Sequence, residues 1–268
     1  MIIVGELINA TRETVREAIE TKDAKAVQAL ARDQADAGAD FLDINAGVFI
    51  ENEAACLKWV IDMVSEVTEV PCCIDSSTPD AIEAALAYLE AAPGQTPMVN
   101  SISLETNRFD RVMSVINGRD LKVVALCIND DGLPETADQR LAVADKLINA
   151  LVKNDIAIED IYVDPLVQAL AANSDYGMEF LNAVDRIMTG YPGIHTMCGL
   201  SNISFGMPAR KFMNQTLMAM AVARGLDGAI MNPLDKRMMA NILTAETLAG
   251  RDSDCMNYLK AFRSGLIQ

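Results

Sequence analysis

The chain has 268 residues, 51% apolar and 5% aromatic, and 38 acidic against 22 basic side chains leave a formal charge of −16. That charge repels phosphate backbones and anionic lipid, and no Lys/Arg run offsets it locally, so neither nucleic acid nor membrane is an expected partner. The length suits a single (β/α)8 barrel of about 250 residues, with a core of Ala, Leu, Ile, Val and Met in place of scarce aromatics.

In chain order, the apolar runs IIVGEL (2–7), DFLDIN (40–45), CCIDSS (72–77), MVNSIS (98–103), KVVALCIN (122–129), IYVDPL (161–166), TMCGLSN (196–202) and GAIMNP (228–233) read as eight strands. Between them lie Ala-rich amphipathic segments, including Ala24 to Ala37, Glu53 to Val67, Ala137 to Val152 and Phe212 to Ala223. Continuous apolar strands alternating with helices predict a parallel sheet covered on its outer face, and eight such units predict closure into a TIM barrel spanning 1–268 as one domain. The methionine-rich MNQTLMAMAV (213–222) reads as helical core filling.

The six cysteines, at 56, 72, 73, 127, 198 and 255, form no CxxC, and His195 is the only histidine. No metal is expected on this chain, and the strand cysteines read as small hydrophobes. His195 falls at the amino end of its strand, the face that carries stability in barrels rather than catalysis. MIIVGELINA has no basic lead or cleavage site, and no apolar run approaches about 18 residues, so a cytoplasmic protein is expected.

The strands end in Glu6, Asp43, Asp75, Asn100, Asn129, Asp164, Ser201 and Asn232, spaced by 37, 32, 25, 29, 35, 37 and 31 residues. Taken singly, such residues start turns or cap helices. Together they converge on the face where barrel enzymes place their sites. With Asn9, Asn45 and Asn202 they make a mouth of acceptors and of groups that both donate and accept, the complement of a flat, nitrogen-rich heterocycle. Carboxylates also suit Mg²⁺, but no GxxxxGK[ST] phosphate cradle accompanies them, and GLSNISFG lacks the lysine and glycine spacing of one.

In order, GELIN (5–9), LDINAG (42–47), IDSS (74–77), NSIS (100–103), DPL (164–166) and GLSNISFG (199–206) resemble the pterin-binding methyltransferases. The nearest likeness is to the methyltetrahydrofolate:corrinoid methyltransferases and the folate module of cobalamin-dependent methionine synthase. The resemblance implies that Asp75, Asn100 and Asp164 hydrogen-bond the pterin edge, and that Asn202 is catalytic beside the methyl-bearing ring nitrogen. It adds Gly199, Ser201 and Arg210 to the folate site, with Arg210 either meeting the benzoyl-glutamate or serving as a surface charge. Glu6, Asp43 and Asn45 are further candidates. The substrate implied is tetrahydrofolate or methyltetrahydrofolate. GIHTMCG (193–199) lacks the DxHxxG of a cobalamin module, so the corrinoid is expected on a separate protein. A homodimer is also implied, and the direction of methyl transfer stays open. Dihydropteroate synthase and a non-catalytic folate carrier are the alternatives.

Overall fold

A computed structural model of the chain describes every residue except 92, 93, 95 and 268. In chain order it runs β1 (Ile2–Asn9), α1 (Glu13–Glu20), α2 (Ala24–Asp36), β2 (Phe41–Asn45), α3 (Glu53–Ser65), β3 (Cys72–Asp75), α4 (Pro79–Ala91), β4 (Met98–Leu104) and α5 (Arg108–Ile116). There follow β5 (Lys122–Asn129), α6 (Ala137–Lys153), β6 (Ile161–Asp164), α7 (Tyr176–Gly190), β7 (His195–Thr196), a 3-10 turn (Leu200–Ser204), α8 (Arg210–Ala223), β8 (Gly228–Met231), α9 (Lys236–Leu248) and α10 (Met256–Arg263).

All neighbouring strands pair in parallel, in the order β7-β6-β5-β4-β3-β2-β1-β8. The two ends of that sheet meet at one bridge between Gly199 and Ile230, where the Ile230 amide donates to the Cys198 carbonyl at 3.0 Å. The expected (β/α)8 barrel is therefore present, closed by its thinnest seam between β7 and β8.

Strand pleat explains why the sequence builds two cores. Val4, Phe41, Cys73, Met98, Val124, Tyr162 and Met197 form a cluster of their own, drawn from seven successive strand units, which is the layer inside the barrel. The alternate residues, among them Leu42, Ile44, Ile74, Val99, Val123, Ala125 and Val163, face outward and pack under α1 to α6. A further cluster binds α7, α8 and α9 to the sheet through Phe180, Leu181, Met218, Val222 and Ile242. Within MNQTLMAMAV, Leu217, Met218, Ala221 and Val222 are buried, whereas Met220 is 43% exposed, so the segment is core on one face only.

The seventh strand departs from its expected span of 196–202. It stops at Thr196, because beyond it the Gly199 amide turns to the Asp164 carboxylate instead of a neighbouring strand, and residues 200–204 wind into the 3-10 turn. His195 sits at the amino end of the barrel. Its Nδ1 is 2.6 Å from Asp227 Oδ2 and its ring stacks on Tyr162 at 4.7 Å, a packing role consistent with that face.

Candidate active site at the carboxyl ends of the strands

Two residues beyond the inner layer, the pleat returns each side chain to the same face one step nearer the mouth. The residues at that step are Glu6, Asp43, Asp75, Asn100, Leu126, Asp164, Gly199 and Asn232. Six of these eight are the strand-end residues expected from sequence, whereas on β5 the half-buried Leu126 takes the place assigned to Asn129, and after β7 Gly199 takes that assigned to Ser201. Asn129 lies five residues past Val124, on the wrong parity, and its side chain turns back to the rim, donating to Asp131 Oδ2 at 3.0 Å. Leu126 does not declare itself as a polar strand end; its offset of two from an inward Val124 is the signal that finds it. Ser201, likewise, belongs to the 3-10 turn rather than to a strand end.

Carboxylates crowd one side of this ring. Asp43 is 2% exposed, and its Oδ1 has no hydrogen-bond partner. Burial, with the Asp75 carboxylate beside it, pushes the Asp43 carboxyl well above the usual carboxylate range. Burial raises Asp75 as well, while Asn45 opposes that rise by donating from Nδ2 to Asp75 Oδ2 at 2.9 Å. Glu6 is also raised by burial, offset by the Arg12 guanidinium at 3.6 Å. Like charges this close oppose one another's ionisation, most strongly at Asp43, the most enclosed of the three.

An irregularity in β1 begins beside Glu6. The pairing of β1 with β2 slips between Gly5 and Ile8, and the Leu7 amide freed by that slip donates to Gln34 Oε1 of α2 at 2.9 Å. Gln34 is fully buried and fits against Gly5 so closely that a Cβ there would stand 2.5 Å from its Oε1. The glycine of GELIN is thus required by a glutamine 29 residues away in sequence.

On the opposite side, Asp164 closes β6. It is 7% exposed, and burial pushes its carboxyl up to about 7, against the pull of the Leu166 and Gly199 amides and the Arg140 guanidinium. The Leu166 amide donates to Asp164 Oδ1 at 2.8 Å, which holds Leu166 in the left-handed region at φ +66°. One carboxylate therefore organises both the DPL corner and the start of GLSNISFG.

Asn202 is exposed in the 3-10 turn. A Cβ built on Gly199 would lie 3.9 Å from its Nδ2, so the amide stands beside Gly199 at the mouth. Arg210, the first residue of α8, donates from Nη2 to the Ser201 carbonyl at 2.8 Å and from Nε to Ser204 Oγ at 3.0 Å. It grips the turn that carries Asn202. Arg108, the first residue of α5, does the same for the loops of Asp75 and Asn100, donating to the carbonyls of Ser77, Ser76 (3.3 Å) and Ser101 (2.8 Å). In the IDSS loop, the Ser76 hydroxyl donates to Glu53 Oε1 at 2.6 Å, a buried carboxylate of α3.

The mouth accordingly offers carboxylates and amides around an apolar wall, suited to hydrogen-bonding the edge of a planar heterocycle while packing its face. Grooves also run between the outer helices, away from the carboxyl ends of the strands. One of about 710 Å³ between α8 and α9, lined by Phe212, Arg237, Asn241 and Leu248 among others, presents no carboxylate. Among the described residues no three His, Cys, Asp or Glu side chains are grouped as metal ligands, and no helix is long and apolar enough to cross a membrane.

Comparison with known proteins gives a consistent picture. Residues 5–232 match the model of the pterin binding enzyme family. The chain is 37% identical to a methylcorrinoid:tetrahydrofolate methyltransferase of Eubacterium limosum, over 100% of this chain and 98% of that protein. It is 29% identical to the methionine synthase of Mycobacterium leprae over 87% of its own length, spanning 20% of that larger protein. Among solved structures, dihydropteroate synthase from Xanthomonas albilineans in complex with 7,8-dihydropteroate superposes with a TM-score of 0.68 at 19% identity, covering 92% of this chain and 91% of that one, a likeness of fold.

Proposed function

The chain belongs to the pterin-binding enzyme family, and from that premise we propose that it is a methyltransferase moving a methyl group between tetrahydrofolate and the cobalt of a corrinoid carried on a separate protein. The observation that carries the reading is the full-length kinship to a methylcorrinoid:tetrahydrofolate methyltransferase, which a mouth of carboxylates and amides supports.

In this reading Asp75, Asn100 and Asp164 bind the aminopyrimidinone edge, whose N–H groups donate to carboxylates and whose carbonyl accepts from an amide. The proximity of Asp43 keeps the Asp75 side from holding two full charges. Leu126 supplies an apolar face for the ring, and Gly199 and Ser201 line the approach with Glu6 and Asn45 at its margin. Asn202 is the catalytic group at the methyl-bearing ring nitrogen. An amide presents either its oxygen or its N–H₂, so it meets that nitrogen protonated or bare, without itself giving a proton.

When methyl leaves the folate, the N–CH₃ bond breaks, its electron pair stays on nitrogen, which takes up one proton from solvent, and cobalt(I) supplies the pair of the new Co–C bond. In the reverse direction cobalt keeps the pair, and the ring nitrogen loses a proton as it gains the methyl group. Asn202 contributes a hydrogen bond of about 1 to 3 kcal/mol aimed at developing charge, roughly tenfold to a hundredfold in rate. Holding two bound partners in line supplies the rest.

The dihydropteroate synthase alternative requires cations for a pyrophosphate, whereas Arg108 and Arg210 direct their guanidinium groups to backbone carbonyls. Incubation with tetrahydrofolate and a methylated corrinoid protein should yield methyltetrahydrofolate by chromatography. Formation of dihydropteroate from p-aminobenzoate and a pterin pyrophosphate, with no methyl transfer, would replace this reading. The reading extends to one domain over residues 1–268 acting in the cytoplasm, which cell fractionation checks, and as a homodimer, which sedimentation of the purified protein checks.

A further inference from the structure

Arg140 is the largest fully buried side chain of the protein's described residues, with 0% exposure, in the first turn of α6. A long apolar residue would fill that space without desolvating a permanent charge, so the guanidinium calls for a reason. Its Nε donates to the Pro165 carbonyl at 2.8 Å and its Nη1 to the Glu135 carbonyl at 2.7 Å. It therefore ties the loop after β5 to the DPL corner after β6. Gln168 makes a second tie between the same loops, donating to the Pro134 carbonyl at 2.5 Å. The remaining Nη2 is buried with no hydrogen-bond partner.

We propose that Arg140 is a positioning residue for folate binding: it fixes the corner bearing Asp164 through Pro165 and supplies the buried positive charge that keeps Asp164 an anionic acceptor for the pterin edge. The proposal rests on the reading of Asp164 as a pterin anchor. Asp164 is also faced by the thiols of Cys127 on β5 and Cys198 after β7, both held neutral by burial, and by the amides of Leu166 and Gly199. Arg140 in turn is faced by Glu179 and the Tyr176 ring of α7, the latter centred 6.0 Å away. Arg140 is the one permanently charged cation bearing on Asp164 among these groups. Burial pushes Asp164 up, and the Arg140 charge, held one residue away at the Pro165 carbonyl, acts with the two amides against that rise.

The test is methyltetrahydrofolate affinity of the full chain from pH 5.5 to 9.5. Wild type should bind more weakly below a midpoint near 7, where Asp164 takes up a proton. In Arg140→Met that midpoint should rise, so that the loss of affinity relative to wild type is greatest near pH 7 and largely recovers by pH 9.5. Arg140→Lys keeps the charge and loses the two-carbonyl tie, so it should weaken binding at every pH without moving the midpoint, and Arg140→Gln, which removes the charge but keeps a polar end, takes the place of Arg140→Met if the methionine variant does not fold. In an Asp164→Asn background, Arg140→Met should have no pH-dependent effect. A midpoint unmoved in Arg140→Met, or moved equally in Arg140→Lys, overturns the electrostatic role of Arg140. Wild-type affinity in Asp164→Asn itself would instead overturn the reading of Asp164 as an anchor.

Discussion

Replacing Asp164 with Asn removes a titrating group whose folded-state behaviour is set by burial. Its carboxyl rises from an ordinary 3.8 to about 7. Three units correspond to about 4 kcal/mol, and relaxation and water entry reduce the usable part to about 2 kcal/mol. The sign follows from the folded state binding the proton more tightly: the contribution is fully present below pH 3.8 and is lost as pH rises through about 7. The ligand-free protein should thus melt lower at pH 8 than at pH 5, with Asp43, Asp75 and Glu6 adding slope of the same sign. Asp164→Asn should flatten only its own share, raising Tm at pH 8 relative to wild type by about 4 to 8 °C. Methyltetrahydrofolate should reverse the order, stabilising wild type most above pH 7 and the variant far less, since a charge-assisted bond of about 1.5 to 3 kcal/mol is gone. Thermal melts at four pH values, with and without folate, read both effects. Parallel Tm profiles for wild type and variant, with equal folate-induced shifts, would refute the placement of an anionic acceptor here.

Asn202→Ala should lose about tenfold to a hundredfold in methyl transfer while folate affinity stays within a few-fold, as stopped-flow rates against equilibrium titration will measure; a carrier would lose affinity at most. Arg210→Ala should loosen the turn holding Asn202 and cut the transfer rate while affinity for methyltetrahydrofolate is kept. Weaker binding of methyltetrahydrofolate, with a bare reduced pterin unaffected, would assign the guanidinium to the benzoyl-glutamate instead. Gly5→Ala places a methyl group 2.5 Å from Gln34 Oε1 and strands the buried Leu7 amide, costing about 1 to 3 kcal/mol in denaturant unfolding, with hydrogen exchange at Leu7 accelerated first.

The architecture was legible because parallel barrel strands are buried on both faces and so write themselves as unbroken apolar runs. Four predicted helices begin within two residues of α2, α3, α6 and α8, since each must cover the sheet with one apolar stripe. The mouth was legible as a set of polar strand ends, but not its exact membership. Polarity favours Asn129 where the pleat turns Leu126 inward, and the apolar run to 202 does not show that Asp164 captures the Gly199 amide, a contact between segments 35 residues apart. Arg108, Arg140 and Gln34 were invisible for the same reason. Each sits on a helix that reads as ordinary amphipathic surface, and only tertiary packing turns its polar head toward the loops that hold the site.

The central claim is methyl exchange between folate nitrogen and a protein-borne cobalt, and single-turnover absorption spectroscopy of the corrinoid tests it most directly. Mixed with methyltetrahydrofolate and this enzyme, a cobalt(I) corrinoid protein should convert to methylcobalt(III), and methylcobalt(III) should revert to cobalt(I) with tetrahydrofolate, both slowed in Asn202→Ala. A cobalt spectrum that never changes in either direction, with folate demonstrably bound, would contradict the account.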